Sequence, residues 1–155
     1  MNTIIPNSKQ PDKPTTQKKI AELLGWKRLD DHGHPGIFWG ENPEGFWDKV
    51  PNWPRDRDAA LQLDVESAYQ SIGENLVGLY LDSIGFQGGR FSNGTMLFSL
   101  MIQIMADPDF PMLFCLAWVE HKGYRWAPCP HCKGTGATHI RCSDCKGQGG
   151  KWVKA

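Results

Sequence analysis

At 155 residues, 40% hydrophobic and 22% charged, the chain can bury one core with a small appendage and is too apolar to stay a disordered polyelectrolyte. The formal net charge is zero but unevenly spread. Residues 1–20 sum to +3; residues 21–120, with six basic and fifteen acidic side chains, to −9; residues 121–155, with seven basic side chains against Asp144, to +6.

Residues 1–15, with Pro6, Pro11 and Pro14, read as a flexible arm. A helix is expected over Gln17–Leu24, capped by Thr16 and closed by Gly25, with Ile20, Leu23 and Leu24 on one face. Trp26–Leu29 reads as a strand, DDHGHPG as a turn and Ile37–Trp39 as a second short strand. The stretch ENPEGFWDKVPNWP is irregular yet aromatic. Its Phe46, Trp47 and Trp53, together with Trp39, are candidates for contacting a partner or ligand. A second helix is expected over Asp56–Ile72, with a Leu61, Val65, Ala68, Ile72 stripe, acidic residues at its start and Gly73 at its stop.

Leu76–Leu81 fits either a strand or more helix. Leu97–Met105 is expected to be a strand, because Phe98, Leu100, Ile102 and Ile104 alternate with Ser99, Met101, Gln103 and Met105. After Asp107, Pro108 and Asp109, a helix over Phe110–His121 is apolar nearly all round and should be buried, with Gly123 ending it. No apolar run reaches the roughly 20 residues that span a bilayer, and the polar N-terminal stretch does not resemble a secretory signal. A soluble cytoplasmic protein is expected.

The strongest chemical signal is CPHCKGTGATHIRCSDCKGQGG. Cys129, Cys132, Cys142 and Cys145 form C-x2-C-x9-C-x2-C. Each pair lets one tight turn present two sulfurs to a single ion, and two such turns complete a tetrahedron of thiolates about 2.3 Å from zinc. Gly134, Gly136, Gly147 and Gly149 follow the pairs and permit positive φ beside the sulfurs. Disulfides do not suit a chain without an export signal, a thioredoxin-type site needs only one such pair, and iron–sulfur ligation and His131 or His139 are lesser alternatives. Four thiolates leave no open position on zinc, so one structural Zn2+ is expected. PCPHC matches half of a zinc deaminase signature, but no His or Cys has the Glu that must follow two residues later. Cys115 reads as a core thiol.

The paired CxxCxGxG motif resembles the cysteine-rich region of the DnaJ co-chaperones over about 22 residues, with half of that family's usual four motifs. His34-Pro35-Gly36 lacks the Asp of a J-domain. The resemblance therefore implies zinc ligands and no co-chaperone activity.

Basic and aromatic side chains surround the cysteines. Arg125, Trp126, Lys133, Arg141, Lys146 and Trp152 are candidates for contacting nucleic acid. The plainer alternative is that the tryptophans cover a small metal-centred core and the cations keep it soluble.

Three further stretches, IAELLGWKRL, PNWPRDRDAALQL and ADPDFPMLFCLAWVEHKG, resemble the phage ABA sandwich domain family over about residues 17–123. That likeness implies an α+β body at 16–123, a helix–sheet–helix sandwich with antiparallel strands. The chain departs from the family by its loop at 85–95 and by its Cys-rich extension, where the cysteine spacing predicts a four-cysteine zinc-binding module at 124–155. The likeness also implies a phage setting in an infected bacterial host. No nucleophile elbow or P-loop is present. The leading expectation is a non-enzymatic accessory protein acting on a host protein or defence system. The alternatives are nucleic-acid binding through the basic module and sequestration of a small nucleotide.

Overall fold

The computed structural model describes residues 10–31, 37–63, 69–83, 94–132 and 149–154. The architecture is α+β: five helices and two small antiparallel sheets among the described residues.

The first helix, α1, spans Lys13–Leu23. It begins four residues before the expected start, because Asp12 rather than Thr16 is the cap. The Asp12 carboxylate accepts from the Thr15 backbone N–H at 2.8 Å. Pro14 sits in the first turn, where its missing N–H costs nothing. Thr16 instead turns inward and donates to the Asp12 carbonyl at 2.9 Å. The expected stop at Gly25 holds. With φ +94°, Gly25 lets its own N–H reach Glu22 O and the Trp26 N–H reach Ala21 O, which satisfies the last carbonyls of the helix.

Strand β1 (Lys27–Asp30) pairs with β2 (Trp39–Glu41), and β2 with β3 (Trp47–Lys49), all antiparallel. The β1–β2 register slips between Lys27 and Asp30, where Arg28 has φ +52°. The Arg28 guanidinium braces the slip with an ion pair to Glu41 at 2.7 Å. Strand β3 lies in the stretch expected to be irregular. Its hairpin is made by Asn42, whose side-chain oxygen accepts from Glu44 N and Phe46 N, and by Gly45 at φ +94°. The sheet is tied to α1 by Gln17, which is buried and donates to Pro51 O at 3.0 Å.

Helix α2 is a short piece, Arg57–Leu61, capped by Asp56, which accepts from Asp58 N and Ala59 N. The expected single helix to Ile72 is not formed. The helix ends at Leu61 with Gln62 as its C-cap; Leu63 is buried and Leu61 exposed. Val65 and Ala68 of the expected stripe lie outside the described residues. Helix α3 spans Tyr69–Ser83 and runs straight through Gly73, so Leu76–Leu81 is helical. Interior glycine weakens a helix by about 1 kcal/mol relative to alanine but does not end one that tertiary packing holds.

Helix α4, Gly94–Ala106, replaces the strand expected over Leu97–Met105. In a strand, Leu100, Ile102 and Ile104 would share a face. In the helix Leu100 and Ile104, one turn apart, are buried, while Ile102 between them is 53% exposed. Leucine, methionine and glutamine favour this outcome intrinsically.

Helix α5, Phe110–His121, has the expected bounds, and every residue from Phe110 to Val119 is buried. It packs against α1, α2, α3, α4 and the next strand, β4 (Tyr124–Pro128). Asn75 of α3 donates to Ala117 O at 3.3 Å, and Lys13 pairs with Asp109 at 3.3 Å. Gly123, at φ +94°, follows the helix end as expected. The Cys115 thiol is fully buried, and burial pushes its pKa far up. Strand β5, Gly150–Lys154, pairs antiparallel with β4.

No single helix among the described residues is long and apolar enough to cross a membrane. Ser99–Ala106 and Phe110–His121 pass that test only as a pair bent by 109°.

Truncating Trp118, which is 1% exposed, removes the largest side chain at the centre of this packing. Trp118→Ala is expected to cost about 3–5 kcal/mol in urea-induced unfolding. Glu120, near the end of α5, has its pKa raised above 4.5, first by burial and second by the charge of Asp82. The folded state therefore holds this proton more tightly than the unfolded chain. Stability falls as pH rises from the unfolded value through the folded one, and the penalty is complete above it. Glu120→Gln should melt at a higher temperature than wild type at neutral pH, with the difference vanishing below the ordinary carboxylate range.

Candidate functional site

The C-terminal hairpin positions the cysteine motif. Pairing runs from Tyr124↔Lys154 to Pro128↔Gly150, and the Cys129 N–H adds a further bond to Gly149 O at 2.8 Å. The segment from Cys129 to Gly149 thus enters and leaves at one point, with Gly149 at φ +80° turning the chain back into β5. Of the four candidate ligands, Cys129 and Cys132 are described. Both are buried, 7% and 5% exposed, and they form their own small cluster apart from the main core. Two buried cysteines in one turn are a donor pair suited to a soft metal ion. Cys142 and Cys145 lie outside the described residues, as do Lys133, Arg141 and Lys146.

Trp126 and Trp152 are direct cross-strand partners, with ring centroids 5.3 Å apart at 74°. Directly opposed residues share a face, so Tyr124 lies on the same side as these two rings. Tyr124 and Trp152 pack against the main core, and Lys19 of α1 sits 3.8 Å over the Tyr124 ring. The hairpin therefore turns its aromatic face to the body. Arg125 and Lys151 belong to the other face and are exposed. Neither indole N–H of the pair has a hydrogen-bond partner among the described residues.

Glycine is required at position 150 for close approach. A Cβ there would overlap the Ala127 carbonyl and stand 2.8 Å from Nε1 and Cε2 of Trp126. In the sequence, the glycines after the cysteines suggest positive φ. Gly149 fits that account, whereas Gly150 is fixed by the ring packed over it.

The second constellation is on the three-stranded sheet. In the β2–β3 register Trp39 faces Lys49 and Glu41 faces Trp47, which puts both tryptophans on one face of the sheet. They are 37% and 52% exposed, and Phe46 in the adjoining turn is 67% exposed. Ile37, just before β2, is exposed too, and nothing in the sequence marks it as part of such a patch. Trp53, which the sequence groups with them, is 5% exposed and belongs to the core. On the face of the two tryptophans the register places Lys49 opposite Trp39 and Glu41 opposite Trp47, so the patch is apolar at its centre with charges of both signs beside it.

Comparisons of the chain with protein-family models, with curated proteins and with solved structures gave no match.

Gly150→Ala should destabilise the chain by about 1–3 kcal/mol, the usual cost of forcing an atom into a filled site. Differential scanning calorimetry checks this. Near-UV circular dichroism should show the change in the Trp126–Trp152 environment.

Proposed function

We propose that the chain is a non-enzymatic accessory protein that docks a host protein through the aromatic face of its three-stranded sheet, and that a structural zinc ion closes its C-terminal loop. The observation that carries the docking reading is the exposure of Trp39 and Trp47 at diagonal positions on one face of the sheet, with Phe46 in the adjoining turn. Aromatic residues of this kind, central in a patch and rimmed by charge, are typical anchors of protein interfaces. Lys49 and Glu41, one of each sign beside the two rings, suit a partner surface that is apolar at its centre and mixed in charge at its rim.

Zinc is the ion that Cys129, Cys132, Cys142 and Cys145 would hold, at the point where the hairpin brings both ends of the loop together. Cys129 and Cys132 are buried together in one cluster, which supports that assignment. With four sulfurs the ion would brace the loop and leave no position for substrate. The resemblance of the body to the phage ABA sandwich domain supports a helix–sheet–helix layering, an infected bacterial host as the setting, and host takeover or anti-defence as the role. The nucleic-acid alternative is less well supported, because Trp126 and Trp152 are turned towards the body rather than displayed for stacking.

Tagged protein isolated from the bacterial host should retain one stoichiometric protein partner that dissociates at high salt, and should carry about one zinc per chain by elemental analysis. The double variant Trp39→Ala/Trp47→Ala should lose the partner by at least tenfold in affinity while keeping its melting temperature and its zinc. Retention of the partner by that variant would move the interface elsewhere. A zinc-free preparation would remove the metal from the reading.

A further inference from the structure

Each outer edge of the two sheets carries backbone groups that another strand could pair with. Among the described residues, three of the four edges are obstructed. Strand β1 slips register between Lys27 and Asp30, with Arg28 at φ +52°, so it presents no regular row. In the β2–β3 ladder the Asn42 N–H bonds to Phe46 O and the Val50 N–H to Phe38 O. Antiparallel pairs alternate between bonded and non-bonded, so the backbone groups of Trp47 and Lys49 point outward from β3. There the Lys49 N–H is already taken, by the Asp48 carboxylate at 2.7 Å. Strand β4 packs against α5 and ends in Pro128, which has no N–H.

Strand β5 is open. The Cys129 N–H bonds to Gly149 O, and by the same alternation Ala127–Lys151 and Arg125–Val153 are the bonded pairs of this hairpin. Pro128, opposite Gly150, fits that phase because it has no N–H to donate. The N–H and C=O groups of Gly150, Trp152 and Lys154 therefore point away from β4. No other described element runs alongside β5. The open row is five residues, roughly 16 Å, long.

The side chains select what can add. Lys151 and Lys154 are exposed on β5 itself, and Arg125 shares the outer face of the hairpin with Lys151. A second copy of β5 would bring two lysines up to two others, with no carboxylate on β4 or β5 to offset them. A strand with acidic side chains at alternate positions would meet Lys151 directly, with Arg125 one strand further in, while its backbone completes the ladder.

We propose that β5 accepts an extended acidic segment of a partner protein as the third strand of this sheet, held by the outward backbone groups of Gly150, Trp152 and Lys154 and selected by Lys151, Lys154 and Arg125. The edge is built on other elements than the Trp39–Trp47 face, so its fate and that of the docking reading are separate.

Backbone amide exchange of the full chain, followed by NMR, tests the assignment. The probes are capped peptides of about seven residues: one alternates Glu and Val, one alternates Lys and Val, and one is the Glu-Val peptide N-methylated throughout. In the free chain the Trp152 amide should exchange at least about tenfold faster than those of Lys151 and Val153. The Glu-Val peptide should bind at submillimolar concentration and slow the Trp152 and Lys154 amides by about tenfold or more, leaving those of Trp47 and Lys49 unchanged. The Lys-Val and N-methylated peptides should do neither. Lys154→Pro removes an N–H that the hairpin does not use. It should keep the melting temperature and bind the Glu-Val peptide about tenfold more weakly than Lys154→Ala does. If Lys154→Pro fails to fold, the N-methylated peptide makes the same test from the ligand side. Lys151→Glu should weaken binding of the Glu-Val peptide. A Trp152 amide already protected in the free chain, failure of the Glu-Val peptide to slow it, or equal binding of the N-methylated or the Lys-Val peptide would overturn the proposal. Protection of Trp152 by concentration-dependent dimerisation would overturn it too, by making a second copy the occupant.

Discussion

A helix with no polar side has to be surrounded, and α5 imposes that requirement on the whole protein. From Phe110 to Val119 it offers solvent nothing, so each other described helix must give up one face to it. Helix α1 does so with Thr16, Gln17, Ile20 and Ala21, α3 with Ile72, Leu76 and Tyr80, and α4 with Leu100 and Ile104. The polar contacts at the edges are consequences of this enclosure. Asn75 reaches the Ala117 carbonyl because α3 lies along α5, and Arg57 reaches the Met105 carbonyl where α2 comes close to the end of α4.

Both candidate sites stand where that enclosure ends. The three-stranded sheet touches the helices through β1 and α1, so the face bearing Trp39 and Trp47 is not needed to cover the core. The C-terminal hairpin reaches α5 through β4 and adds Tyr124 and Trp152 to the core, while its far end carries the cysteines. One aromatic pair is thus committed to packing and the other is left open to solvent. Composition alone does not tell them apart.

The sequence is most legible where one residue type does one job. Uninterrupted apolarity announces α5, and Gly25 and Gly123 announce turns that only a left-handed residue makes easily. It is least legible where two periods coexist. Residues 97–105 satisfy strand alternation and helical spacing together, and the deciding fact, that Leu100 and Ile104 are buried in the core while Ile102 is not, is tertiary. Strand β3 is hidden because Pro43 and two tryptophans suggest irregularity, although Asn42 and Gly45 at the two ends of one turn are a hairpin signal. Asp12 is hard to see as a cap because Pro14 makes its surroundings look like more of the N-terminal arm. For the cysteines, the pattern announces the donor type. That the strands on either side pair and bring positions 129 and 149 together comes from the structure.

The placement of Cys115 gives the protein a built-in clock. A thiol sealed inside α5, and held protonated by its surroundings, meets an alkylating reagent only when the helices part. Cys129 and Cys132 sit at the tip of a hairpin and need only a local opening to react. Under a fixed dose of iodoacetamide, the order in which mass is added separates loosening of the C-terminal loop from rupture of the whole fold, within a single sample and without any engineered probe.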